Sequence, residues 1–278
     1  MATAHHPDAE MSSRPVALVT GAARRIGRVI ALELARAGFD IALHHRGSDA
    51  HAVAEAEATA GELRDAGART ELFAADFADP SATAALLPAI VRAFGRADAV
   101  VNSASRFEYD SPATFDAALL ESLTRSNVAA PVALARALAA QVPAQAAHAR
   151  VTPCVVNLLD QKLHNPNPDY FSYTLTKAAL AHATVLLAQA LAPAVRVCGV
   201  SPGITLVSGP MDDGEFAKAH KLTALGRSST PEDIARAVRF LIESPAITGI
   251  DLAVDGGQHL VGQPRDVLFL ARDASAPN

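Results

Sequence analysis

Short apolar runs alternate with longer stretches of helical periodicity along almost the whole chain, from Val16 to Val254. Val16-Ala17-Leu18-Val19-Thr20 reads as a buried strand, and Ile26 to Ala37 carries apolar residues at helical spacing before Gly38. The unit then repeats. Strand Ile41–Leu43 precedes helix Ala50–Ala66, which stops at Gly67; strand Leu72–Ala74 precedes helix Ser81–Phe94; strand Ala99–Val101 precedes a long helical region from Ala113 to Ala140. The second half gives strand Val155–Leu159, helix Tyr170–Leu191, strand Val195–Val200, a helix from Thr230-Pro231-Glu232-Asp233 to Glu243, and strand Ile250–Val254. A glycine just past a helix, and Thr-Pro-acid at a helix start, are stop and start signals with a backbone cause.

Strands that are apolar at every position need cover on both faces, and β-α alternation supplies it with parallel strands. The expected fold is therefore α/β: a single doubly wound Rossmann-type domain, its mainly parallel sheet flanked by helices on both faces. Nothing from Pro15 to Leu260 reads as a linker, which sets expected boundaries of a disordered tail over 1–14, a domain over 15–260 and an extension over 261–278. Half of the 278 residues are apolar but only 5% are aromatic, so the core must be aliphatic, and a Phe or Tyr beside a reactive motif draws notice. The net charge of −5 provides no basic field for a nucleic-acid backbone. Cys154 and Cys198 lie in strand-like runs and read as buried free thiols of a reducing, cytoplasmic compartment. No Cys/His cluster has zinc spacing, and His44-His45 is an isolated pair, so no metal is expected. The first fourteen residues carry acids and no apolar block, unlike a signal peptide. The uncharged stretch Ala178–Val195 contains His182, Gln189 and Pro193, and a helix buried in protein explains it better than a bilayer span.

The first strand runs directly into Thr20-Gly21-Ala22-Ala23-Arg24-Arg25-Ile26-Gly27. Glycines at a strand end and inside the next helix let backbone approach a pyrophosphate, which the helix N-terminus then attracts. The end of strand two distinguishes between dinucleotides. An NAD site usually carries an acid there for the ribose hydroxyls, but the run is His44-His45-Arg46-Gly47-Ser48, with no acid before Asp49. Arg46 can pair with a 2′-phosphate and Ser48 can add a donor, with Arg24 or Arg25 approaching from the first loop. The expected cofactor is NADP(H). Asp76, after strand three, reads either as an acceptor for the adenine amino group or as a turn residue.

Tyr173 and Lys177 are four residues apart on one helix face. A cation beside a phenol favours phenolate, so Lys177 is expected to lower the Tyr173 pKa and make it a proton donor near neutral pH. Lys177 could also hold a nicotinamide ribose. Asp160 lies thirteen residues before Tyr173 at a strand end, where α/β sites sit. Asn127, inside the long helix, is placed to anchor a water or Lys177.

With these residues in order the chain resembles the short-chain dehydrogenase/reductase superfamily from Pro15 to Leu260. The resemblance rests on Thr20-Gly21 through Gly27, Asn102-Ser103-Ala104-Ser105, Asn127, Tyr173 with Lys177, Ser201-Pro202-Gly203, and Asp255-Gly256-Gly257. Two departures, Arg25 for the usual middle glycine and Asp160 for the usual serine, make it most similar to the pteridine reductases and dihydromonapterin reductases. The His45-Arg46 pair, the Asn-Ser-Ala-Ser-Arg-Phe run and the ending Asp255 to Leu260 agree. The resemblance implies that Asn102, Ser103, Ala104, Pro202, Gly203, Ile204, Ile26 and His45 join the cofactor site, together with Tyr173 and Lys177. It implies that Arg25 faces both cofactor phosphate and pterin, that Ser105 contacts either ligand, and that Phe107 stacks on the pterin. Asp160, Tyr173 and Lys177 would deliver protons. An ionised Asp160 would raise the phenol pKa, so it is no neutral copy of a serine. Two other readings stay open: reduction of a simple carbonyl, and a cofactor-binding sensor without turnover. The loop from Ile204 to Lys221 occupies the place of a substrate lid. The apolar helices around Asn127 and after Tyr173 imply a homotetramer or dimer, and Val267-Leu268-Phe269-Leu270 is expected to dock on a neighbouring subunit.

Overall fold

The computed structural model describes residues 14–142, 152–207 and 211–273. Most of the expected tail over 1–14, and the end of the extension, lie outside the described residues.

Seven strands form one wholly parallel sheet: β1 Val16–Val19, β2 Asp40–His45, β3 Thr70–Ala74, β4 Ala99–Asn102, β5 Cys154–Leu158, β6 Arg196–Pro202 and β7 Asp251–Val254. Their order is β3-β2-β1-β4-β5-β6-β7. The helices are α1 Arg25–Arg36, α2 Ala50–Asp65, α3 Pro80–Phe94, α4 Ala117–Thr124, α5 Ala130–Ala139, α6 Phe171–Leu191, α7 Asp213–Ala219, α8 Pro231–Glu243 and α9 Val267–Asp273. Side chains alternate across a strand, so β1 feeds two cores. Ala17 and Val19 pack with Ile30 and Leu34 of α1, Leu63 of α2 and Val238 and Leu241 of α8. Val16 and Leu18 pack with Leu87, Ile90 and Phe94 of α3 and Leu134 and Leu138 of α5. Each of these buried Val, Leu, Ile and Phe side chains contributes about 1.5–3 kcal/mol relative to exposure. This two-sided demand explains why β1, β2, β4 and β5 are buried at every position.

Two expectations need correction. The region from Ala113 to Ala140 is not one helix. A 3-10 turn at Pro112–Thr114 precedes α4, and a π-helical turn at Arg125–Ala129 separates α4 from α5. The turn brings Asn127 inward: its amide oxygen accepts from the Arg106 N–H at 2.9 Å, and its amide nitrogen donates to the Arg106 carbonyl at 3.0 Å and Thr176 Oγ1 at 3.1 Å. Those tertiary bonds, rather than local propensity, hold the bulge. The second correction concerns Val267-Leu268. These residues pack within the same chain, with Ala271, against Met211 and Ala219 at α7.

Candidate active site

The chain order reverses between β1 and β4, so the loops leaving their carboxyl ends diverge and open a crevice. A cavity of about 680 Å³ fills it. The Thr20 hydroxyl ties the two loops together by accepting from the backbone N–H groups of Ser103 and Ala104, each at 3.0 Å.

One end of the cavity is built for an anion. Gly21 has φ +65°, and a Cβ there would meet the Ala104 backbone at 3.0 Å. A Cβ on Gly27 would collide with the Gly21 carbonyl oxygen. Both glycines therefore allow a close approach that a side chain would block. No side chain caps α1 and its first turn holds no acid. Its free N–H groups and positive dipole end face the cavity at Arg24, Arg25 and Ile26. Arg25 has φ +56°, a left-handed conformation that costs a residue with a Cβ about 1–2 kcal/mol. Its guanidinium donates to the Val207 carbonyl at 2.9 Å, across the cavity mouth, and burial with neighbouring Arg24 lowers its pKa from the ordinary value.

His45, Arg46 and Ser48 line the same end. Asp49 is committed elsewhere: its carboxylate accepts from the Ala52 N–H that opens α2 and from the Ser48 hydroxyl, both at 2.8 Å. Arg46 is exposed at the rim and pairs with no acid among the described residues. Asp76 lines the wall and also closes its own turn, accepting from Ala78 N–H at 2.9 Å. His44 has a function that its pairing with His45 did not signal. Its Nδ1 accepts from the Gly21 N–H at 3.1 Å, which leaves Nε2 to donate to the Ala75 carbonyl at 3.0 Å. Burial lowers its pKa to about 4, so the imidazole is neutral and keeps this tautomer at neutral pH.

The other end holds the reactive groups. Asp160 caps the 3-10 turn Gln161–Leu163, one carboxylate oxygen accepting from the Lys162 N–H at 2.9 Å. Its other oxygen accepts from the Tyr173 hydroxyl at 2.9 Å. Burial and the Asp160 charge and hydrogen bond raise the Tyr173 pKa well above the ordinary phenol value. The expectation that Lys177 would lower it is therefore overturned. The Lys177 ammonium donates to the Leu158 carbonyl at 2.7 Å and lies 5.6 Å from the Tyr173 ring centre, while Asp160 bonds the hydroxyl itself. Burial also pushes Asp160 upward and brings Lys177 down to about 8. Phe107 stacks on Tyr170 at 4.2 Å, sets its edge against Tyr173 at 4.7 Å, and remains 42% exposed. The arrangement can present a flat aromatic face, a carboxylate and a held proton to one ligand.

Ser103, Ala104, Ser105, Pro202, Gly203 and Ile204 also line the cavity. The Ser105 hydroxyl donates to Asn127 at 3.3 Å. Gln258 holds the Ile204 N–H at 3.0 Å, and Asp255 organises the Gly256-Gly257 turn that presents Gln258. Two expected residues do not line it. Asn102 donates to the Asn157 side chain at 2.8 Å inside the sheet, and Asn127 braces the Arg106 backbone and Thr176 rather than Lys177. Met211, from the loop expected as a substrate lid, lines the cavity, as do Tyr170, Lys162, Asp266, Val267 and Leu268, which no sequence pattern placed there. A left-handed φ of +53° turns Tyr170 inward, and long-range contacts bring in the C-terminal residues.

Residues 21–259 match the family model described as enoyl-(acyl carrier protein) reductase. The chain is 37% identical to an uncharacterized oxidoreductase of Mycobacterium tuberculosis, MT0954, with 87% of this chain and 91% of that one covered. It is 34% identical to pteridine reductase 1 of Leishmania tarentolae, covering 88% and 96%. Among solved structures, FolM alternative dihydrofolate reductase 1 of Brucella suis, in complex with NADP, superposes with a TM-score of 0.83 at 36% identity, over 92% of this chain and 99% of that one. The family model spans most of the chain and these relatives are matched along nearly their full length, so the chain belongs to the short-chain dehydrogenase/reductase family.

Proposed function

We propose that this protein is an NADPH-dependent reductase of a dihydropteridine. The observation that carries the reading is the Tyr173 hydroxyl donating to Asp160 beside the partly exposed Phe107 of the cavity wall. Likeness to pteridine reductase 1 and to FolM structures supports it.

The anion end fits the cofactor: the uncapped start of α1 and the close approach at Gly21 and Gly27 suit a pyrophosphate, and unpaired Arg46 with Ser48 suits a 2′-phosphate. NADPH, when bound, supplies the hydride. The chain's residues do the rest. Phe107 offers its face to a flat ring. Asp160 accepts from ring N–H and amino donors, which a simple ketone lacks. Tyr173 keeps a proton available because Asp160 and burial resist its loss. Asp160 itself holds a proton to higher pH than an ordinary carboxyl, so the couple can release one to a ring nitrogen. In this reading residues 15–260 carry both ligand halves and the extension adds one wall. The exposed Leu175, Val185 and Leu186 of α6 support self-association as a dimer or tetramer, and the two buried free thiols support a cytoplasmic setting.

Cofactor oxidation with dihydrobiopterin, dihydromonapterin and a ketone panel tests the reading. NADPH should be consumed with the pterins and NADH used poorly. Arg46→Ala should weaken NADPH binding by about tenfold, as expected for loss of one charge-assisted contact, while sparing NADH. Ketone turnover without pterin turnover would overturn the substrate. Equal use of both cofactors, unchanged by Arg46→Ala, would overturn the cofactor choice.

A further inference from the structure

Lys162 is buried, yet neither the hydride path nor the proton path described above uses its ammonium. Its backbone N–H orients Asp160 at 2.9 Å. Its side chain turns the other way. The ammonium donates to the Asp169 carbonyl at 2.5 Å, approaches the Asp266 carboxylate at 3.4 Å, and lies 5.5 Å from the Tyr170 ring centre. Asp169 in turn grips the C-terminal arm. Its carboxylate takes Arg265 in a two-pronged pair at 2.8 and 2.9 Å and accepts from the Asp266 N–H at 2.8 Å. A single buried ammonium thus joins three segments: the turn that carries Asp160, the segment that leads into α6 and Tyr173, and the arm that walls the cavity with Asp266, Val267 and Leu268.

We propose that Lys162 is a positioning residue of the proton-delivery site, tying the Asp160 turn to the C-terminal arm and supplying the positive charge that lets the carboxylates Asp160 and Asp266 share one cavity. The charged and titratable groups that act on Asp160 are Lys162 on its own turn and Tyr173 and Lys177 on α6, while Asp266 on the arm acts on Tyr173. Those around Lys162 are Asp169, Asp266 and the Tyr170 phenol, with Arg265 behind Asp169. The signs are consistent with this wiring. Lys162 and Lys177 pull the Asp160 pKa down against burial, and Asp266 pushes the Tyr173 pKa up. Arg265 and Asp266 are therefore part of the site, although they lie beyond the family-matched residues 21–259.

The inference rests on Asp160 and Tyr173 delivering protons, and its test has one readout without substrate and one with it. In the free protein, carboxyl titration by NMR on aspartate-labelled chain, with Asp160→Asn assigning the signal, reports the Asp160 midpoint directly. Lys162→Met should raise that midpoint, because it removes a nearby opposite charge. Lys162→Arg should return it toward the wild-type value, and Asp266→Asn should move it down. With dihydrobiopterin and NADPH, the alkaline limb of kcat/KM should follow the same shifts, and kcat should fall in Lys162→Met more than KM rises. A merely structural role would lower stability without moving either pH curve. An unchanged midpoint in folded Lys162→Met overturns the proposal; where that variant does not fold, an unchanged midpoint in Asp266→Asn does so. Absence of pterin turnover by the wild type would overturn the substrate reading alone, because the titration still decides the role of Lys162.

Discussion

Tyr173→Phe should lower kcat by about 10²–10⁴-fold, the range expected on losing a positioned general acid, while NADPH affinity stays within about twofold. The substitution removes one oxygen and leaves the ring that packs with Leu123 and Tyr170 and meets the edge of Phe107. Neither the α1 terminus nor the Arg46 rim touches that oxygen, so cofactor binding has no reason to change. The Asp160 carboxylate loses its phenol donor and keeps the Lys162 N–H. Steady-state rates with a pterin, together with cofactor fluorescence titration, separate the two effects. A variant that turns over as fast as the wild type would show that the phenol proton is not used.

Asp160→Asn should reduce pterin turnover by about 10²-fold or more and should change its pH dependence. The sign follows from the raised Asp160 pKa. A carboxyl that burial pushes upward keeps its proton to higher pH than usual, so the proton-rich form of the Asp160–Tyr173 couple is lost as pH rises through that raised value. Wild-type activity should therefore decline on the alkaline side of that value, and the variant should lack this limb. The same shift makes a stability prediction. A folded-state pKa above the unfolded one stabilises the fold in acid and penalises it once pH passes the raised value. Asn carries no such penalty and keeps an oxygen for the Lys162 N–H, so the melting temperature of Asp160→Asn at neutral pH should be no lower than the wild type's. Because Asn caps a turn as well as Asp does, a rate loss in Asp160→Asn with stability retained assigns Asp160 a chemical role beyond capping.

Sequence patterns revealed the sheet because all-apolar strands have few alternatives: β1 and β4 to β6 appear where the apolar runs lie. The anion end was legible for a similar reason, since glycine spacing, absence of an early acid and Arg46 each have a local physical meaning. What escaped depends on contacts far apart in the chain. Asn127 and the π-helical turn are set by bonds to Arg106 and Thr176, and no periodicity encodes these. Asn102 has the right place in the chain, but its side chain points between β4 and β5 toward Asn157. Tyr173 and Lys177 share a helix face as their spacing requires. Proximity in sequence nevertheless gave the wrong sign for the phenol, because Asp160 reaches the hydroxyl first. The C-terminal arm was the least legible part. Its place at the cavity depends on Arg265 meeting Asp169, across most of the second half of the chain.

In the proposed reaction, hydride and proton arrive together on a dihydropterin held between Phe107 and the cofactor end of the cavity. The most direct test supplies NADPH deuterated at its reactive nicotinamide carbon, with dihydrobiopterin as the acceptor, and determines the mass of the product. A tetrahydropterin that carries the label should form in step with NADPH oxidation and be absent with Tyr173→Phe on the same timescale. NADPH oxidation that leaves dihydrobiopterin unlabelled and unreduced, or labelled alcohol from a ketone panel with no labelled pterin, would contradict it.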